Sequence, residues 1–263
     1  MNPAARHPSW LLAQPYAHRG LWTPDGAPEN SMGAFELARA RGLGAELDVR
    51  LSADGVAVVF HDADLRRMTG VAGRLSDRTA QELCALRLKN TQESPPLLAE
   101  VLEGPGRDMP LLIEMKVDLG REGPLEAAVA DLLERHRGPV AVMSFNPASL
   151  AWFARFAPGA PRGMLADAFP RHGVWRAPWA RRRRLRDYCD SDLARPDFLA
   201  SSLQALTAYG VRRGRALNAP VLAWTIRTHN DIRRALQHAD GFIFEHSGEQ
   251  ALMRRAQRTR WMR

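Results

Sequence analysis

His18-Arg19-Gly20 closes one short apolar run, and His61-Asp62 follows another, Val56-Ala57-Val58-Val59-Phe60. Glu46-Leu47-Asp48 lies within a third run, and Glu114-Met115-Lys116 ends a fourth, Leu111-Leu112-Ile113. These residue types are proton carriers, ligands for a hard metal, and cationic groups for an anion. Residues two apart on a strand share a face, so Glu46 pairs with Asp48 and Glu114 with Lys116. Three carboxylates brought together repel unless a cation joins them. An all-oxygen set of Glu46, Asp48 and Glu114 suits one divalent cation, Mg2+ or Ca2+, rather than zinc. Two histidines can divide the general base and general acid roles near neutral pH. With Arg19 and Lys116 on an anionic oxygen, the set has the parts needed to cleave a phosphodiester. Taken alone, Glu46-Leu47-Asp48 reads as a partner for the abundant arginines. Glu114 and Lys116 on a second strand, with two flanking histidines, shift the reading to a metal.

Such groups work together only if the strand ends converge. Apolar runs at 15–18, 44–50, 111–116, 140–144, 162–165, 197–200, 221–226 and 241–244 read as strands. Amphipathic stretches at 31–41, 122–137, 147–156, 202–209, 212–218, 230–238 and 249–257 read as helices. That alternation implies a parallel sheet of an α/β protein. Eight strands fit a closed (β/α)8 barrel, whose active sites lie at the C-terminal strand ends. The competing open, doubly wound sheet lacks its marker, a G-x-G-x-x-G turn after the first strand.

Two segments interrupt the alternation. Residues 48–111 are too long for one helix. They hold a hairpin turn at Asp54-Gly55 and a helix near 79–86, so about 51–110 reads as an insertion after the second strand. The whole chain, 1–263, reads as one domain carrying it. The second interruption, 167–195, holds Trp175, Pro178, Trp179 and four successive arginines at 181–184. It follows the fifth strand and is expected to emerge at the same face as the site.

The chain has 263 residues and a net charge of +8, which favours anionic partners. Nearly all of its positive charge is arginine, with Lys89 and Lys116 the only lysines. Lys116 therefore presents a compact point charge where arginine is the habit. No recognised nucleic-acid module accompanies the charge, and no nucleic-acid partner is expected. No apolar run is long enough to span a bilayer, and Trp10-Leu11-Leu12 is too short for a signal-peptide core, so a cytoplasmic protein is expected. Cys84 and Cys189 read as unpaired thiols. Pro28-Glu29-Asn30-Ser31 opens the first helix, with Asn30 or Ser31 as its cap, and lies at the expected catalytic rim. Trp224 is core by default. His7, His136, His172 and His238 read as structural or solvated, and His229 and His246 are weaker candidates near strand ends.

In combination these pieces resemble the glycerophosphodiester phosphodiesterase family. The resemblance rests on Ala17-His18-Arg19-Gly20, Pro28-Glu29-Asn30, Glu46-Leu47-Asp48, His61-Asp62, Glu114-Met115-Lys116 and Trp224-Thr225-Ile226, in that order. It implies a TIM (β/α)8 barrel with a small insertion after the second strand. It implies hydrolysis of glycerophosphodiesters to sn-glycerol 3-phosphate and an alcohol, dependent on Ca2+ or Mg2+. By similarity His18 and His61 are the acid/base pair, and Glu46, Asp48 and Glu114 bind the metal. Arg19, Glu29, Asn30 and Lys116 would serve substrate binding, with Trp224 on the glycerol side. The substrate's own glycerol hydroxyl would attack phosphorus, and water would open the cyclic phosphate. Arg227 stands where the family often has Asn. Glu245 and His246 stand where its last strand often ends in Thr-Asp, so the pocket wall is expected to differ.

Two other readings remain: a lysophospholipase D acting on lysophospholipids, and a non-catalytic barrel that binds anions. The segment 175–186 adds possible peripheral contact with anionic lipid, against the plainer reading of a solvated arginine-rich helix. Sedimentation with anionic vesicles separates these. If the run binds lipid, replacing arginines 181–184 with serine lowers the bound fraction; unchanged binding eliminates a lipid role for the run.

Overall fold

The computed structural model describes residues 7–89, 91–117, 120–168, 179–206 and 208–245. In chain order the elements are β1 (Tyr16–His18), α1 (Met32–Ala40), β2 (Gly44–Leu51), β3 (Ala57–Val59), α2 (Arg66–Thr69), α3 (Ala80–Cys84) and α4 (Leu98–Glu103). There follow β4 (Leu111–Met115), α5 (Pro124–Arg135), β5 (Val140–Ser144), α6 (Pro147–Phe156), β6 (Arg162–Ala166), α7 (Trp179–Arg186) and α8 (Ser191–Ala194). The last are β7 (Phe198–Ser202), α9 (Ala208–Ala216), β8 (Val221–Ile226), α10 (His229–Ala235) and β9 (Gly241–Phe244).

Every strand except β3 lies parallel to its neighbours, and β1 pairs with both β2 and β9. The sheet is thereby closed into the eight-stranded barrel that the strand count predicts. Both faces of each strand are covered, which explains why the strands read as continuous apolar runs. Alternate side chains turn outward to the helices, where Leu47, Val49, Ile113 and Val142 pack with Phe35 and Phe153. The others fill the barrel: Tyr16, Leu112, Met143, Leu165, Phe198, Ala200, Leu222 and Ile243 form one buried cluster. Glycines on adjacent strands make room for its two large rings. A Cβ on Gly44 would lie 2.5 Å from the Tyr16 ring, and one on Gly163 would lie 2.2 Å from that of Phe198. Leu11 is buried against this floor, and its carbonyl accepts from the Tyr16 hydroxyl at 3.0 Å.

β3 carries a consequence for the site. It is antiparallel to β2, with Val49 opposite Val59 and Leu51 opposite Ala57. β4 occupies one edge of β2 as far as Val49, while β1 leaves the other edge after Glu46. β3 takes over that vacated edge, and the Phe60 amide donates to the Asp48 carbonyl at 2.9 Å. The hairpin turn is where Asp54-Gly55 predicts it, with Gly55 at φ 81°, a conformation that favours glycine. Past β3 the chain builds a satellite cluster of Val58, Phe60, Leu65, Met68, Leu75, Leu83 and Leu88. α3 begins there with a Thr79–Glu82 capping box. α4 then returns to the barrel, burying Leu98, Val101 and Leu102 in the outer layer.

Two expected helices are revised. In place of 202–209 and 212–218 the described residues form one helix, α9. Ser202 belongs to β7, and its hydroxyl accepts from the Ala205 amide at 3.1 Å, a local turn that competes with helix. Helix 249–257 and the residues His172, Trp175, Pro178 and His246 lie outside the described residues. Small-to-large changes in a filled layer cost about 1–3 kcal/mol. Gly163→Ala is therefore expected to lower the urea midpoint by that free energy with the slope unchanged; an unaltered midpoint would contradict the ring-against-glycine packing.

Candidate active site

Glu46 and Asp48 project from β2, and Glu114 from β4, at the C-terminal mouth of the barrel. Strand register places His18 beside Glu46 and Asp48 beside Glu114. One carboxylate oxygen from each acid lies within 4.8 Å of the other two, and all three residues are buried. Cationic and amide groups converge on them. The Arg19 amide, in a left-handed turn at φ 59°, donates to Glu46 Oε2 at 3.0 Å. Its guanidinium Nε stands 3.3 Å from Asp48 Oδ2. Asn30 Nδ2 donates to the same oxygen at 2.8 Å, while Asn30 Oδ1 accepts from the Asp48 amide at 3.3 Å. Ser31 caps α1, which leaves the Asn30 side chain for this contact. Lys116 Nζ lies 2.9 Å from Asp48 Oδ1 and 2.5 Å from Glu114 Oε1.

Burial, then Asp48 and Glu114, push Glu46 well above the usual carboxylate range. Burial also raises Glu114, against the pull of Lys116. Asp48 moves the other way, because Lys116 and Arg19 outweigh its burial. Glu46 Oε1 is buried and accepts no hydrogen bond among the described residues. Three buried acids with converging oxygens, one of which carries an oxygen without a donor, are a donor set that fits a hard divalent cation.

Each histidine is held through Nδ1 by a carboxylate. His18 Nδ1 lies 2.9 Å from Glu245 Oε1, and its Nε2 lies 3.8 Å from Glu46 Oε2. Arg227 grips Glu245 with Nε at 2.7 Å and Nη2 at 3.0 Å. His61 Nδ1 lies 2.6 Å from Asp62 Oδ1, and its carbonyl accepts from Arg50 Nε at 2.7 Å. An ionised carboxylate only accepts, so Nδ1 carries the proton in both rings and Nε2 is the basic nitrogen when the ring is neutral. Burial lowers both imidazoles, His61 to about 4, against the pull of nearby acids. A chain of ion pairs joins the second histidine to the first strand. Asp62 accepts from Arg67 Nε at 2.5 Å, Arg67 forks onto Glu29 at 2.9 and 2.7 Å, and Glu29 accepts from Arg19 Nη1 at 2.8 Å.

The structure thus gathers His18, Arg19, Glu46, Asp48, His61, Glu114 and Lys116 at one mouth. Glu29 and Asn30 adjoin it through other side chains, Glu29 through Arg19 and Arg67, and Asn30 through Asp48. Trp224 faces the barrel interior, edge-to-face with Phe145 at 5.9 Å between ring centres, and its indole N–H is buried without a partner among the described residues. The sequence alone assigns Arg67 no role, since only the fold of the segment after β3 aims it at Glu29. Glu245 stood out as a departure at the last strand end, and the structure turns it toward His18. In α7, Trp179 is 63% exposed beneath Arg183, while Arg183 and Arg186 pair with Asp187, and Arg184 with Asp190. That run is therefore partly neutralised by its own segment. Cys84 and Cys189 are both free thiols. Among the described residues no helix is long and apolar enough to cross a membrane.

A model of the glycerophosphoryl diester phosphodiesterase family matches residues 18–249. The uncharacterized protein YqiK of Bacillus subtilis (strain 168) is 35% identical over 162 residues, 58% of this chain and 66% of that protein. A glycerophosphodiester phosphodiesterase of Bacillus altitudinis is 36% identical over 154 residues, 54% of this chain and 62% of that protein. The chain therefore matches just under two thirds of each relative's length. The Oleispira antarctica phosphodiesterase, solved with the product sn-glycerol-3-phosphate, superimposes with a TM-score of 0.74 at 28% identity, covering 91% of this chain and 95% of that one. A glycerophosphodiester phosphodiesterase from Thermotoga maritima gives 0.69 at 27% identity, covering 90% and 96%.

Glu245 is held at about 2, against an ordinary 4.5, because His18 and Arg227 outweigh its burial. A depressed carboxylate contributes stability that is complete above the unfolded value and is lost as pH falls through the folded one. Glu245→Gln is expected to be less stable than wild type at pH 6, with the gap narrowing below about pH 4.5. Denaturant midpoints across pH check this, and a gap independent of pH would contradict it.

Proposed function

This chain belongs to the glycerophosphoryl diester phosphodiesterase family, and from that premise we propose that it hydrolyses glycerophosphodiesters to sn-glycerol 3-phosphate and an alcohol. The observation that carries the reading is geometric. Two histidines, each with Nδ1 engaged by a carboxylate, flank a buried cluster of three acids at the mouth of the barrel. A likeness that covers nearly all of a phosphodiesterase solved with sn-glycerol-3-phosphate supports the substrate class.

In this reading Glu46, Asp48 and Glu114 hold one divalent cation, Mg2+ or Ca2+. Such an ion would supply positive charge beside the phosphate and so stabilise the charge that develops as the bond breaks. Arg19 and Lys116 hold phosphate oxygens at the same rim. Glu29 and Asn30 position Arg19 and Asp48 and so serve substrate binding at one remove. The glycerol half lies toward Trp224, whose indole N–H, unpartnered among the described residues, offers a donor.

His18 and His61 move the protons. One Nε2 takes the proton of the glycerol hydroxyl as its oxygen attacks phosphorus, and the other ring protonates the departing alkoxide. Water then opens the cyclic phosphate with the two roles exchanged. Holding the nucleophile within the substrate removes the entropy cost of bringing it in. Both rings start neutral at pH 7, and the arriving phosphodiester anion favours protonation of one of them. Glu245 keeps His18 in the tautomer with Nε2 free, as Asp62 does for His61.

The purified protein is expected to release sn-glycerol 3-phosphate from glycerophosphocholine, to lose that activity in EDTA, and to regain it with Mg2+ or Ca2+. His18→Ala and His61→Ala should each lower kcat by roughly 10^2–10^4-fold. Metal-independent hydrolysis would overturn the ligand assignment, and full activity in His18→Ala would favour the anion-binding alternative. Faster turnover of lysophosphatidylcholine than of glycerophosphocholine would move the substrate class to lysolipids.

A further inference from the structure

Each histidine of the site is backed by a carboxylate, and each carboxylate is backed in turn by an arginine. Just past β9, Glu245 offers Oε1 to His18 Nδ1 at 2.9 Å. Arg227 donates to the same carboxylate twice, from Nε to Oε2 at 2.7 Å and from Nη2 to Oε1 at 3.0 Å. Past β3, Asp62 offers Oδ1 to His61 Nδ1 at 2.6 Å and accepts from Arg67 Nε through Oδ2 at 2.5 Å. In both units the histidine takes one carboxylate oxygen and the arginine Nε takes the other. The units come from unrelated parts of the fold, one from the ends of β8 and β9 and one from the segment after β3. Recurrence of one arrangement on both proton carriers points to a shared use.

The unit on His18 stands on a fixed base. The Glu245 amide donates to the Ile226 carbonyl at 3.0 Å, continuing the pairing of β8 with β9. The Arg227 amide donates to Asp231 Oδ2 at 3.1 Å, and Asp231 closes the capping box of α10 with Thr228. Both backbones are therefore set, and the Glu245 side chain keeps its own torsions. A single hydrogen bond to His18 would let the carboxylate turn about that contact. The two-pronged guanidinium contact fixes its plane and gives Oε1 one position. With Nδ1 held there, His18 Nε2 faces the acidic cluster, 3.8 Å from Glu46 Oε2. We propose that Arg227 is a positioning residue for the reaction: by forking onto Glu245 it fixes the oxygen that holds His18, and so aims His18 Nε2 at the reacting phosphate. The inference rests on the phosphodiesterase reading above and adds to it a residue that acts through Glu245.

Steady-state kinetics on glycerophosphocholine under metal-replete conditions test it. Arg227→Met keeps the stem and removes the fork. It is expected to lower kcat by roughly 10–100-fold with KM within about twofold of wild type, because a small misplacement of a reacting group is that costly. In a Glu245→Gln background the same change should cost little more, since the two residues act as one unit. Arg227→Lys, which keeps a cation beside Glu245, should recover part of the lost kcat. The Arg227 side chain is 54% exposed, so the variants are expected to fold, and their thermal midpoints verify this. The imidazole 15N spectrum of chelator-treated protein at pH 7 reads His18 without turnover: Nδ1 protonated in wild type, and a mixture of both tautomers in Arg227→Met. An unchanged kcat, a raised KM in its place, independent losses in the double variant, or a His18 spectrum identical to wild type would each overturn the role of Arg227 while leaving the phosphodiesterase reading intact. A wild type that hydrolyses no glycerophosphodiester would overturn that reading, and the role in turnover with it.

Discussion

Burying three carboxylates within 4.8 Å of one another is the constraint around which this molecule is arranged. Ionised acids are costly to remove from water, and more so beside each other. The protein offsets that cost locally. The Arg19 amide meets Glu46, Asn30 and the Arg19 guanidinium meet Asp48, and Lys116 bridges Asp48 and Glu114. These groups come from the turn after β1, the loop before α1, and the end of β4. Burial, with repulsion from the neighbouring acids, still raises Glu46 and Glu114, and a further cation would favour their ionised forms. That is what would let the mouth of the barrel hold one.

The histidines depend on two different devices for their positions. His18 is simply the last residue of β1, in register with Glu46. His61 arrives by the antiparallel return of β3, which occupies the edge of β2 that β1 leaves free. A short hairpin thus brings a second imidazole onto the same acidic cluster without a ninth barrel strand. Its orientation is then fixed from outside the barrel, through Asp62, Arg67 and Glu29 back to Arg19. Beneath the site, Tyr16 and Phe198 fill the floor against Gly44 and Gly163, so the strand ends have a packed base.

Much of this was legible in the sequence because strand geometry is periodic. Parity places Glu46 with Asp48, and Glu114 with Lys116, before any coordinate is known. The barrel follows from the count and spacing of apolar runs, whose cores coincide with the observed strands. The ends of elements were less legible. Ser202 reads as the start of helix 202–209, yet its hydroxyl closes a turn and its backbone extends β7. Contacts that need a folded insertion were not legible at all. Nothing in the residues around Arg67 signals that it will fork onto Glu29, since the two are joined only by the packing of the satellite cluster. Glu245 was visible as an oddity at a strand end, but a side chain facing a cavity can serve its wall or its chemistry. Only the distance to His18 shows which group it meets.

The central claim is that Glu46, Asp48 and Glu114 form one cation site. Calorimetric titration of Mg2+ or Ca2+ into chelator-treated protein tests it without reference to turnover. The account predicts saturable binding of one ion per chain and its loss in Glu46→Ala, with the variant still folded by circular dichroism. No saturable binding by wild type, or undiminished binding by Glu46→Ala, would contradict it.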